Sequence, residues 1–163
     1  MGIKQRRMQA NYIDVGAGET HDIVLMGTGY TALDENPSAQ TTSRRYIIDK
    51  SATQSVSGYD WSVAFDIDQI REQAAVNYIC RIGEMMLTGA DAETDYFIID
   101  IDQPESEDDT YHARKMRVAV AVDSFTNDDG NMGCTGNLLG IGDITEGTFD
   151  ITAKTFTALT PTV

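Results

Sequence analysis

Gly58-Tyr-Asp-Trp-Ser-Val-Ala-Phe-Asp-Ile-Asp68 alternates without a break. Tyr59, Trp61, Val63, Phe65 and Ile67 fall on one side, and Asp60, Ser62, Ala64, Asp66 and Asp68 on the other. Successive side chains of a strand point to opposite faces, so this stretch predicts a strand with one buried and one wet face. The same period recurs downstream. Tyr96-Phe-Ile-Ile-Asp-Ile-Asp102 is less cleanly alternating, and Met116, Val118, Val120 and Val122 alternate with Arg117, Ala119, Ala121 and Asp123. Phe149 and Ile151 with Phe156 and Leu159 suggest a closing pair of strands. Upstream, His21 to Met26 and Arg44 to Ile48 are further candidate strands.

One segment departs from period two. Ile70, Ala74, Tyr78, Ile82 and Met86 recur every fourth residue, with Ala75 and Ile79 beside them, which predicts an amphipathic helix. Asp66 and Asp68 stand where carboxylates would cap its free N–H groups, and Gly83 or Gly89 would end it. The Met85-Met86 pair reads as core filler. Strands, one helix and more strands argue for a mainly β fold with one α-helix. The architecture expected is an antiparallel β-sandwich or barrel with the helix packed on it, because a parallel βαβ fold needs several helices. Three stretches read as irregular: 31–43 with Pro37 and many small polar residues, 103–111, and the glycine-rich 127–137.

The 163 residues suit a single domain over 1–163, and 41% apolar content is that of a globular chain. No run of about 18 apolar residues occurs. The basic start, with Lys4, Arg6 and Arg7, has no apolar stretch behind it and does not read as a secretory signal. Gly2 lacks the Ser or Thr at position 6 that a myristoylation signal wants. Cys80 and Cys134 make no disulfide framework and read as reduced, buried thiols.

Charge is more informative. Twelve basic residues against 26 acidic give −14. Residues 1–81 hold 8 basic and 10 acidic residues, whereas 82–163 hold 4 and 16. Such a surface repels phosphate backbones, which argues against sequence-reading of nucleic acid and suits a surface that nucleic acid passes without sticking.

The constellations an enzyme needs do not assemble. Gly27-Thr-Gly-Tyr-Thr-Ala32 matches G-x-G-x-x-A, with Asp49 near the distance of a ribose carboxylate, but Pro37 and a polar run follow where a helix should start, so a turn is expected. Gly136 to Gly142 lacks a P-loop ending. Asp128-Asp-Gly130 has Phe125 where a calcium loop needs Asp. Neither His21 nor His112 lies in a zinc motif, and no G-x-S-x-G elbow is present. A Cys134–His112 dyad has no supporting motif. Asp100 and Asp102 share one strand face and read as a solvated stripe, not a glycosidase pair. No enzyme, cofactor or metal site is expected.

Several pieces, taken in order, give a resemblance. They are Gly27-x-Gly29-Tyr-Thr-x-Leu-Asp-Glu-x-Pro37-x-Ala-Gln, Tyr46-Ile-x-Asp-Lys-Ser51, Val56-x-Gly-Tyr-Asp60 and Phe65-x-x-Asp68. After the helix come Thr88-Gly-Ala-Asp-Ala-Glu-Thr94, Gly142-Asp-Ile-Thr-Glu-Gly-Thr-Phe149 and Lys154-Thr-Phe-Thr157. From about Gly27 to Phe156 the chain resembles the major tail tube proteins of tailed bacteriophages and prophages of Gram-positive bacteria. The resemblance implies a tail-tube-like β-sandwich or barrel flanked by a helix. It implies hexameric rings stacked into a hollow tube whose acidic lumen conducts DNA. It also implies a virion (tail) location after synthesis in the host bacterial cytoplasm. Implied partners are the chain itself, the tape measure, baseplate or tail tip and terminator proteins, and DNA passing without specific binding.

By the same resemblance, residues 31–58 would be a long loop or arm contacting neighbouring rings and 1–20 an N-terminal arm. Arg44, Arg45 and Lys50, with Lys4, Arg6 and Arg7, become candidate contacts between rings or subunits. Asp60, Asp66, Asp100 and Asp102 become candidate lumen-facing residues. A tube subunit of a phage-derived bacteriocin or related injection system would share this physics. A monomeric acidic β-sandwich binding module is the alternative of another class, and it would carry an apolar pocket.

Overall fold

The structure, a computed structural model, describes residues 2–16 and 19–159. It is mainly β with one α-helix, and its strand pairs are antiparallel. The strands are β1 (Gln9–Asp14), β2 (Ile23–Leu25), β3 (Tyr30–Asn36), β4 (Ala39–Arg44), β5 (Thr53–Tyr59), β6 (Ser62–Asp68), β7 (Glu93–Pro104), β8 (Thr110–Asp128), β9 (Asn131–Asp150) and β10 (Thr155–Ala158). The helix α1 spans Ala74–Glu84 between β6 and β7. The main sheet runs β2-β1-β7-β8-β9-β6-β3, with β10 also on β9, while β4 and β5 form a separate hairpin.

The deciding stretch behaves as its alternation requires. Trp61, Val63, Phe65 and Ile67 are buried, and Asp66 and Asp68 are exposed. Tyr59 departs from the pattern: it ends β5 on the separate hairpin and is exposed. On β7 every residue from Tyr96 to Asp100 is buried, because both faces are covered. Tyr96 and Ile98 enter the main core beneath α1, while Phe97 and Ile99 enter a second cluster with Tyr12, Ala113 and Phe149. Double coverage explains why β7 alternates poorly in sequence. The Phe97 and Phe156 rings lie 5.8 Å apart although three strand-to-strand steps separate β7 from β10. A flat sheet would hold them about 14 Å apart, so the sheet is curled. The two ends of the main sheet, β2-β1 and β3, line one groove of about 740 Å³, the seam where the rolled sheet stays open.

Several boundaries differ from the expectations. Residues 31–43 are not irregular: they hold most of β3, a turn at Pro37–Ser38, and nearly all of β4. Arg44 ends β4, so Arg45–Ile48 is a hairpin tip and not a strand. The glycine-rich 127–137 is mostly strand, with its turn confined to Asp129-Gly130. Both turn residues have positive φ, 52° and 89°, the conformation that a two-residue hairpin demands and glycine supplies without strain. The expected arm over 1–20 is shorter, since β1 pairs with both β2 and β7 and buries Ile13 completely.

The helix is present but rotated from the expected stripe. Its buried residues are Ala75, Val76, Ile79, Cys80 and Ile82, whereas Ile70, Ala74 and Met86 are exposed. A strict four-residue spacing winds off a helix face by about 40° per step, so a stripe drawn from Ile70 to Met86 cannot stay against the sheet. Asp66 and Asp68 lie in β6 and do not cap α1; the N-cap is Gln73, without a side-chain cap bond. Neither Gly83 nor Gly89 ends the helix. Met86 takes the left-handed conformation (φ 50°), with Leu87 N–H donating to Ile82 C=O and Met86 N–H to Gly83 C=O, the bonding of a Schellman end.

Candidate assembly surfaces

The β4–β5 hairpin departs from the main sheet between Pro37 and Tyr59, with all its strand residues except Gly58 exposed. Polar cross-strand contacts hold it, including Thr42 to Ser55 at 3.1 Å and the Ser57 hydroxyl donating to Gln40 C=O at 3.0 Å. At its tip Asp49 folds the turn: its carboxylate accepts from Tyr46 N–H at 3.1 Å and its N–H donates to Tyr46 C=O at 3.0 Å. That turn pushes Tyr46, Ile47 and Ile48 outward, with Ile47 wholly exposed. A lone two-stranded hairpin is marginal in water, and large aliphatics at a tip contribute nothing until covered.

Arg44, Arg45 and Lys50 all lie at this tip and are exposed. None makes an ion pair among the described residues. Arg45 donates to Asp49 C=O at 3.2 Å. From Ala39 to Tyr59 there are three cations and one carboxylate, net +2, so the remaining residues carry −16. The hairpin is thus a cationic, apolar-tipped projection on an acidic body.

The N-terminal cations sit otherwise. Lys4 donates to Asp100 at 2.6 Å and lies 3.2 Å from Asp102, so a candidate contact residue and two candidate lumen residues meet within one chain. Arg6 donates to Gln9 C=O and to the Asn11 side chain, and Arg7 to the Gln5 side chain. Asp100 is buried and also bonds His112 Nδ1 at 3.1 Å, while His112 Nε2 lies 2.9 Å from Glu146. Burial opposes ionisation of Asp100, but the hydrogen bonds from Lys4 and His112 outweigh it and hold its carboxyl below the usual range. Hydrogen bonding to Glu146 raises His112 against a smaller effect of burial, and Asp100 adds to the rise. Both His112 nitrogens are thereby engaged by carboxylates, and Cys134 lies opposite Phe125, 13 residues along β8 from His112, so the Cys134–His112 dyad does not form.

The four acidic candidates do not share a face. Asp100 and Asp102 continue the side of β7 that carries Tyr96 and Ile98, whereas Asp66 alternates with Phe65 and Ile67 and points away from the core. Asp60 is exposed at the hairpin base, where its N–H donates to Ser38 C=O. Strand register assembles an outward face that no single stretch reveals. Asp34, Ala64, Asn137 and Ala121 form one row across β3, β6, β9 and β8, with Ala32, Asp66 and Thr135 in the next. Small and polar side chains give this face low relief, with Asp34 and Asp66 exposed on it.

Two residues went unread as functional candidates in the sequence. Asp34 joins Asp66 only through register. Trp61 lines a groove of about 480 Å³ at the hairpin base with Pro37, Tyr59, Met116 and Ile144, and its buried indole N–H has no hydrogen-bond partner. Its alternation had marked it only as core. Among known proteins, no family model and no curated sequence matches this chain.

Proposed function

We propose that the chain is a structural, self-assembling subunit of a phage tail tube, not an enzyme. In this reading six copies close a ring, rings stack into a hollow tube, and the acidic lumen conducts DNA. The observation that carries it is the hairpin: an exposed aliphatic tip ringed by Arg44, Arg45 and Lys50, on a body of opposite charge. A tip of this kind is complementary to a second copy of the same chain, and such a heterologous contact propagates into rings and filaments. The unpaired edge strands β2 and β3 add a second propagating surface, since an open edge is satisfied by another strand. The low-relief face with Asp34 and Asp66 suits a wall that repels phosphate.

Negative-stain electron microscopy of the concentrated chain, beside a sizing column, tests the reading. Six-fold rings or long hollow tubes are expected. A strict monomer that also fails to assemble on isolated phage tail tips overturns it.

A further inference from the structure

The hairpin tip shows Ile47 and Ile48 to solvent beside Arg44, Arg45 and Lys50, and the grooves of the molecule differ in what they offer it. The seam groove of about 740 Å³ carries Arg6 and Arg7 against Asp34, so its charge opposes a cationic tip. The groove between β6 and the β8–β9 turn is acidic, with Asp66, Asp68 and Asp128, but has only Ile70 and Met132 as large apolar wall. The groove of about 480 Å³ at the hairpin base combines both properties. Tyr59, Trp61, Met116 and Ile144 wall it, and Tyr59 and Ile144 are left exposed. Its one cation, Arg114, is taken up by both oxygens of Glu35, at 2.9 and 3.0 Å. Asp143 on its rim, and Asp60 between Tyr59 and Trp61, are exposed and make no ion pair among the described residues. The groove is thus apolar inside and negative at its rim.

A chain cannot fill this groove with its own tip. The β4–β5 ladder from Ala39 to Arg44 holds the tip about 17 Å from the base, at about 3.3 Å per residue. We propose that the groove is the receptor for the hairpin tip of a second copy. Ile47 and Ile48 lie against Tyr59, Trp61 and Ile144, while Arg44, Arg45 and Lys50 face Asp60 and Asp143. The inference rests on the reading of the chain as self-assembling, and it names the surface that takes the projection. Docking removes from water the aliphatic groups of the tip and the exposed rings and methyls of the groove. It also brings together opposite charges that have no partner on their own chain among the described residues. Tip and groove lie at opposite ends of one hairpin, so the contact is heterologous. A copy that gives its tip keeps an open groove, and the row of copies grows.

The native thiols Cys80 and Cys134 are buried, so surface cysteines are read selectively with a short bismaleimide. S51C, just past the tip, and S38C, beside Pro37 at the base, are made separately in the full chain, and both positions are exposed. Mixing the two is expected to give a covalent dimer whose linked peptide joins positions 38 and 51. Placing both in one chain is expected to give a ladder of multimers. Light scattering carries the second arm. D60K/D143K is expected to raise the concentration needed for self-association several-fold, and adding R44E/R45E to it to restore most of that loss. Links joining only 51 to 51 or 38 to 38 overturn the proposal, as does a combined variant weaker than either parent. Six-fold rings or tubes without a 38–51 link overturn this receptor and leave the tail-tube reading standing. A 38–51 link in open rows of copies, with no rings or tubes, supports the receptor and removes the tail-tube reading. A chain that stays monomeric at every concentration, without the link, overturns the receptor.

Discussion

Among the described residues nothing neutralises Arg44 and Arg45, whereas Lys4 is spent on Asp100 and Asp102. The R44E/R45E double variant therefore leaves the monomer's unfolding midpoint unchanged. Replacing two attractions by two repulsions costs assembly about 2 kcal/mol per subunit, roughly a thirtyfold rise in the concentration at which tubes appear by light scattering. Normal assembly of that variant would remove the charge complementarity from the reading. Asp100 and His112 carry a pH prediction. Asp100 is held below its usual value, so its contribution is present above about pH 3.9 and is lost as the pH falls through the lower folded value. His112 is raised, so its contribution is complete below about pH 6.5 and is lost as the pH rises through the higher folded value. Urea unfolding across pH is expected to show H112Q without the near-neutral loss. D100N is expected to be destabilised by roughly 1–3 kcal/mol at pH 6, because hydrogen bonds to a charged group are removed.

At the scale of elements, the hairpin and the helix make opposite demands. On the proposed reading the exposed hairpin tip serves contact between copies, so I47S is expected to keep the monomer within about 0.5 kcal/mol while abolishing tubes in micrographs. The helix is built for close approach. G83A would gain about 1 kcal/mol of helix propensity, but its methyl would collide with Val122, a β-branched residue on a strand, and with Phe125. Overpacking of this kind costs about 1–3 kcal/mol, so thermal melts are expected to show net destabilisation. Much of this level is legible beforehand. The alternation of Val63, Phe65 and Ile67 and of Met116, Val118 and Val120 places β6 and β8 correctly, and Phe149 does pair with Phe156. The polar 31–43 stretch was not legible, because β4 is exposed on both faces and has no apolar period to read, and the part of β3 it holds fully buries Leu33 alone.

For the whole molecule, a net −14, made of −16 on the body and +2 on the hairpin, dominates encounters with polyanions. Gel-shift with duplex DNA at about 50 mM salt is expected to show no binding, since counterion release requires cationic contacts. The D34K/D66K variant is expected to retard DNA if the outward face is the one DNA meets. An unchanged mobility in assembled tubes would place the lumen elsewhere.

Sequence alone determined the period-two strands, the single helix and the charge, because each is a local property of side-chain order or a simple sum. It also placed Arg44, Arg45 and Lys50 together, since they are neighbours in the chain. Only the tertiary structure decided which carboxylates share a face, because register joins Asp34 to Asp66 across strands 32 residues apart while separating both from Asp100. The same holds for Lys4 with Asp100 and His112 with Glu146. Those pairings arise where the sheet rolls, through contacts between residues that no local pattern links.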